Sequence, residues 1–182
     1  MLGAHGYITT FTGRRFWPLD PRVEDIDIRD IAHALSMQCR FGGHTTELYS
    51  VAQHSIWVSN QVKSKERLWG LLHDAAEAYL VDLPSPIKRQ PELAPYRDAE
   101  AAIMRAVCDA FGLPHEQPAS VTEADHRMLV TEARDLTNWS KDTFADWTQL
   151  GEPYPFNVWP LHHSVAESMF LRAFENATRI AA

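Results

Sequence analysis

From residue 27 onward the chain is punctuated for helices. Start and stop signals alternate along it, and between them apolar residues recur with the 3.6-residue period of a helix, not the two-residue period of a strand. Asp27 is placed to cap a helix running to about Ser36, with Ile28, Ile31, Ala32 and Leu35 on one face. Ser50-Val51-Ala52-Gln53 reads as a capping box that opens a helix carrying His54, Val58 and Val62. Ser64 opens a third, predicted from Glu66 to about Tyr79 and rich in leucine and alanine, which Leu83-Pro84-Ser85-Pro86 ends in a loop. A fourth covers about Ala94 to Phe111, with Gly112 where a left-handed terminator belongs. Another opens at Ser120 or Thr122 and reaches about Leu136, and a last one spans about Leu161 to Ile180. Between those two, Gly151 to Pro160 holds three prolines and must be irregular.

The first 22 residues read differently. Tyr7-Ile8-Thr9-Thr10-Phe11 and Arg15-Phe16-Trp17 are β-prone and flank the turn-forming Thr12-Gly13, which predicts a short hairpin. Apolar strands do not alternate with helices elsewhere, so no parallel sheet is supported. The expected fold is all-α: five or six helices in a bundle with a short N-terminal β-hairpin, as one domain over residues 1–182.

Charge narrows the partners. With 17 basic against 24 acidic residues the net charge is −7, which argues against polynucleotide binding, since that needs a basic surface to displace counterions. A small anionic ligand is still compatible, because a few local cations can reverse the field inside one cleft. Cys39 and Cys108 stand 69 positions apart without a metal-type spacing, and read as buried thiols of a reducing compartment. The opening Met1-Leu2-Gly3-Ala4-His5-Gly6 lacks the features of a secretory leader, and no run of about 18 apolar residues suggests a membrane span. A cytoplasmic protein without membrane attachment is the expectation.

The chemistry concentrates in Leu71-Leu72-His73-Asp74-Ala75-Ala76-Glu77, where polar groups break suddenly into a core-forming helix. Glu77 lies one turn from both His73 and Asp74, and the small alanines leave room for a ligand. Taken alone, His73-Asp74 reads more readily as a partly solvated stripe. Its company shifts that reading: His54 lies 19 residues earlier on its own capped helix, and Asp125 lies 51 residues after Asp74 on another. Imidazoles and carboxylates from three helices, without thiolates, suit one divalent transition ion. His126 and the pair His162-His163 have no spacing that commits them to such a site.

The order H…HD…D, with each member on a helix, resembles the HD-domain phosphohydrolases. The match is carried by His54 within Ser50-Val51-Ala52-Gln53-His54-Ser55, by His73-Asp74, and by Asp125 within Glu123-Ala124-Asp125. It is similar in particular to the small single-domain 5′-deoxynucleotidases and dATP triphosphohydrolase-like members. There the HD helix runs on much like His73 to Glu77 and then Asp82-Leu83-Pro84-Ser85-Pro86-Ile87-Lys88. The stretches Thr9 to Arg14 and Asp25 to Leu35 also match, so the likeness spans about residues 7 to 136.

The resemblance implies an HD-type bundle in which His54, His73, Asp74 and Asp125 hold one divalent ion, with Zn, Co or Mn ahead of Mg. It gives Glu77 the role of general acid or base and places Asp82 beside the nucleoside or the attacking water. Arg40, in the Arg40-Phe41-Gly42-Gly43 loop, and Lys88 are expected to meet the phosphate, with His44 and Arg89 as lesser candidates. Trp17 and Phe41 are each able to stack on a base or to pack in the core. The implied activity is hydrolysis of the 5′-phosphate linkage of a deoxynucleotide, releasing phosphate or triphosphate. The alternatives are a phosphodiesterase acting on a cyclic or signalling nucleotide, and a non-catalytic nucleotide-binding protein. Relatives of this kind are often homo-oligomers, and Met169, Phe170 and Phe174 suit either an interface or the core.

Overall fold

The computed structural model describes residues 6–181, so the reading of residues 1–5 as lacking a leader lies outside the described residues. Strands β1 (Ile8–Thr9) and β2 (Arg15–Phe16) pair antiparallel, Ile8 opposite Phe16 and Thr9 opposite Arg15. Phe16 is fully buried and stacks on Tyr79 at 4.0 Å, which ties the hairpin to the helical body. Among the described residues eight α-helices follow: α1 (Ile28–Met37), α2 (Val51–Gln61), α3 (Arg67–Leu72), α4 (Ser85–Lys88), α5 (Ala94–Phe111), α6 (Ala119–Leu136), α7 (Lys141–Trp147) and α8 (His163–Ala181). The chain is all-α with a short N-terminal hairpin. No helix among the described residues is long and apolar enough to cross a membrane.

Local signals place most helix ends. Asp27 accepts from the Arg29 amide and Ser50 from the Gln53 amide, each satisfying one of the donors a helix start leaves orphaned. The Ser50 box closes on one side only, because the Gln53 side chain donates to the Trp159 carbonyl and accepts from the Leu161 amide instead. Gly112 ends α5 at φ 68°, a left-handed conformation that costs a residue without Cβ nothing.

Four expectations change. The helix predicted over Glu66 to Tyr79 is broken: α3 stops at Leu72, His73 and Asp74 form the joint, and Ala75–Ala78 is a 3₁₀ turn. Pro84-Ser85-Pro86 does not make a plain loop, since it starts the one-turn α4, where proline in the first turn loses no hydrogen bond. Helix α6 begins at Ala119 without a side-chain cap, and Ser120 donates to Glu66 instead. Cys39 is half-buried, whereas Cys108 is buried as expected; both are free thiols.

Two apolar clusters meet around α2. One gathers Ile31, Leu35, Leu71, Leu72, Ile103 and Phe170 between α1, α3, α5 and α8; the other joins Tyr49, Val58, Trp69, Met128 and Val158. Phe170 is thus core, while Met169 on the next position stays exposed. The approach of α3 to α2 is unusually close. A Cβ on Gly70 would lie 3.0 Å from Ser59 Cα and 3.2 Å from Ser59 N, so only glycine fits. The irregular segment from 151 to 160 is strapped onto α6. Arg134 donates to the carbonyls of Tyr154 and Phe156, while Thr131 and Asp135 accept from the amides of Tyr154 and Val158.

Candidate metal centre

Three helices deliver the cluster. His54 comes from the buried face of α2, His73 and Asp74 from the joint after α3, and Asp125 from the first half of α6. His54, His73 and Asp74 each offer one ligand atom, all within 4.8 Å of one another. Asp125 adds a fourth, its Oδ1 lying 3.1 Å from His54 Nε2 and 3.9 Å from His73 Nε2.

The outer nitrogen of each ring is already committed. His54 Nδ1 lies 2.7 Å from Glu132 Oε1 and His73 Nδ1 lies 2.8 Å from the Gly70 carbonyl. A carbonyl oxygen only accepts, as does an ionised carboxylate, so each Nδ1 carries a proton, and it is Nε2 that is left to hold either a second proton or a cation. Those two Nε2 atoms face each other at 3.3 Å, with Asp74 Oδ2 3.2 Å from His73 Nε2. Ring nitrogens and carboxylate oxygens thus converge on one point, an arrangement that calls for a proton or a cation between them. Two nitrogen and two oxygen donors without sulfur fit a first-row divalent ion.

Electrostatics carry the same signature. Burial and the Arg40 charge push the His54 imidazole down, but Glu132 and Asp125 outweigh them and hold it up at about 9. Burial opposes protonation of His73 as well, and Asp74 and Asp125 raise it nonetheless. Burial alone would lift the carboxyls of Asp74 and Asp125; the two imidazoles hold both below the usual carboxylate range.

Glu77 stands one turn beyond, and burial, with Asp74 and Asp82 behind it, pushes its carboxyl well above the ordinary range. Its Oε2 is buried without a hydrogen-bond partner among the described residues. Burial and Asp74 also raise half-buried Asp82, against the pull of Arg40 and Lys88. His73, Asp74 and Glu77 share a cavity of about 270 Å³ with Lys88, Arg97 and Glu100.

Arg40 reaches the cluster from a tight turn in which Phe41, Gly42 and Gly43 all adopt positive φ. Its guanidinium lies 3.4 Å from Glu132 and 3.8 Å from Asp74, and its buried Nε has no hydrogen-bond partner among the described residues. Lys88 lines the cavity and forms an ion pair with Glu100. His44 is exposed, and its backbone amide donates to the Phe41 carbonyl. Trp17 packs beside Tyr7 at 5.8 Å and under Arg22, and does not line the cavity. Phe41 meets Trp139 and Trp147 in an aromatic cluster.

Three residues enter that the sequence reading missed: Glu132, Tyr49 and Arg97. Glu132 is fully buried and takes hydrogen bonds from Tyr49 Oη at 2.8 Å and from His54. It stands seven positions after Asp125, two helical turns along the same face, which is the signal that could have found it. Arg97 donates to the carbonyls of Lys88 and Gln90, which fixes the loop bearing Lys88.

Fold and cluster define a class: an all-helical protein with a buried histidine–carboxylate group that could hold a metal ion. No family model matches the chain. It is 39% identical over 177 residues to the uncharacterized protein YfdR of Escherichia coli strain K12, covering 96% of this chain and 97% of that one. It is 38% identical over 160 residues to an uncharacterized protein of Rhodobacter capsulatus, covering 81% of this chain and 80% of the other. The chain belongs to the family that contains YfdR.

Proposed function

We propose that this protein is an HD-type, metal-dependent phosphohydrolase that cleaves the 5′-phosphate linkage of a deoxynucleotide. The observation that carries the reading is the pair of Nε2 atoms facing each other at 3.3 Å, each ring locked through its other nitrogen and flanked by Asp74 and Asp125. His54, His73, Asp74 and Asp125 would hold one divalent ion, Zn, Co or Mn ahead of Mg. Such an ion, when bound, supplies Lewis acidity toward a phosphoryl oxygen and lowers the pKa of a water.

The chain's own groups do the rest. Glu77, with a buried oxygen free of partners, is placed to take a proton from an attacking water or to give one to the departing 5′ oxygen. Burial, with Asp74 and then Asp82 beside it, keeps that carboxyl basic. Arg40 offers a planar two-pronged donor for phosphate, and Lys88 exchanges Glu100 for a phosphoryl oxygen when substrate enters.

The test is a panel of dNMPs, dNTPs and cyclic nucleotides with Co²⁺, Mn²⁺, Zn²⁺ and Mg²⁺, with both products identified. Metal-dependent release of phosphate or triphosphate from a deoxynucleotide, lost in Glu77→Gln with metal content unchanged, supports the reading. Turnover of cyclic nucleotides alone would replace it with a phosphodiesterase. Failure to take up any divalent ion would replace it with a non-catalytic binding protein.

A further inference from the structure

A second cavity, of about 210 Å³, opens between the end of α2, the start of α3 and one face of α8. Its polar lining includes Asn60, Arg67, Arg172 and Asn176, and Ile56 and Met169 are among its apolar residues. None of these residues belongs to the histidine cluster. Among the described residues no acidic one lines the cavity, and the neighbouring carboxylate of Glu66 is engaged by Ser120 and Lys65. In a chain of net charge −7, two guanidiniums have been brought into one depression with no acidic side chain among the described residues lining it.

Arg67 sharpens the point. As the first residue of α3 it is half-buried, and its Nε is fully buried without a hydrogen-bond partner among the described residues. A buried N–H left unmade is costly, and two like charges facing a common space repel each other. An anion in that space relieves the repulsion and gives the two guanidiniums a shared partner. Two planar guanidiniums and two carboxamides present more donors than a single carboxylate can accept, but match the several oxygens of a phosphoryl group. The apolar side formed by Met169 suits a small organic remainder.

We propose that this cavity is a second anion site, which binds the phosphoryl group of a small organic phosphate between Arg67 and Arg172. The site does not depend on the chemistry at the histidines. Occupancy there would brace α8 against α2 and α3, the elements that position His54 and His73.

Nitrogen-15 NMR of the full chain, stripped of divalent ions and titrated with inorganic phosphate and then with a deoxynucleoside monophosphate, tests this directly. The side-chain amide signals of Asn60 and Asn176 should move with added phosphate. In Arg172→Ala, a change at an exposed position, the dissociation constant read from those signals should rise about tenfold or more, the size of a lost charge-assisted contact. Arg67→Gln should act the same way. Signals that stay still in the parent protein, or that shift equally in parent and both variants, would overturn the site whatever is found at the histidines.

Discussion

Gly70→Ala sets two opposing effects against each other. In an unhindered helix the change stabilises, by about 1 kcal/mol from helix propensity and reduced freedom of the unfolded chain. Here the new methyl would stand 3.0 Å from Ser59 Cα and 3.2 Å from Ser59 N, both backbone atoms of a packed helix. Ordinary carbon contact needs about 3.5–4.0 Å, so α3 must retreat from α2 by roughly 0.5–1 Å. Overpacking of this kind costs about 1–3 kcal/mol, and backbone neighbours that cannot rotate away put it near the upper end. The net expectation is a loss of about 1–2 kcal/mol, or a melting temperature lower by about 2–8 °C for a domain this size. The displacement also reaches the cluster, because the Gly70 carbonyl holds His73 Nδ1 while His54 rides on α2. Thermal melts followed by circular dichroism, with Co²⁺ titrations of the same samples, read both effects. A variant melting at or above the parent temperature with unchanged Co²⁺ affinity would refute the packing argument.

Further outcomes follow from the same geometry. Glu132→Gln removes the carboxylate that accepts from His54 Nδ1 and faces Arg40, so metal affinity should fall about 10- to 100-fold and stability by about 3–5 kcal/mol; parent-like values in calorimetric metal titration and urea unfolding would show that Glu132 is idle. Saturating divalent ion should raise the melting point of chelator-treated protein by about 5–11 °C, from the ~2.7 kcal/mol that binding contributes at a hundred times the dissociation constant. Superimposed melts with and without Zn²⁺, Co²⁺ and Mn²⁺ would count against the cluster as an ion site.

What the sequence disclosed was mostly local. Asp27, Ser50 and Gly112 act within their own turns, so residue type and position were enough to read them. The joint at His73-Asp74 was invisible, since neither glycine nor proline marks it and the break from α to 3₁₀ geometry is imposed by packing. Helix α7 was missed although Ser140 accepts from the Thr143 amide, an N-cap signal obscured by the tryptophans around it. The convergence of His54, His73, Asp74 and Asp125 could be suspected from their order, but their distances belong to tertiary packing. So do the pairing of Lys88 with Glu100 and the placement of Trp17 and His44 away from the cavity.

The segment from 151 to 160 has no regular structure, yet Tyr154 and Val158 have their amides tied to Thr131 and Asp135 on α6. Its far end, at Trp159 and Leu161, is tied to Gln53 on α2. The helices that anchor this strap are the ones that carry Asp125 and His54. An irregular ribbon on the surface therefore works as a strain gauge for the buried centre. Any change in the spacing of α2 and α6 must stretch or slacken it, and its amide protons make that change measurable without touching the histidines.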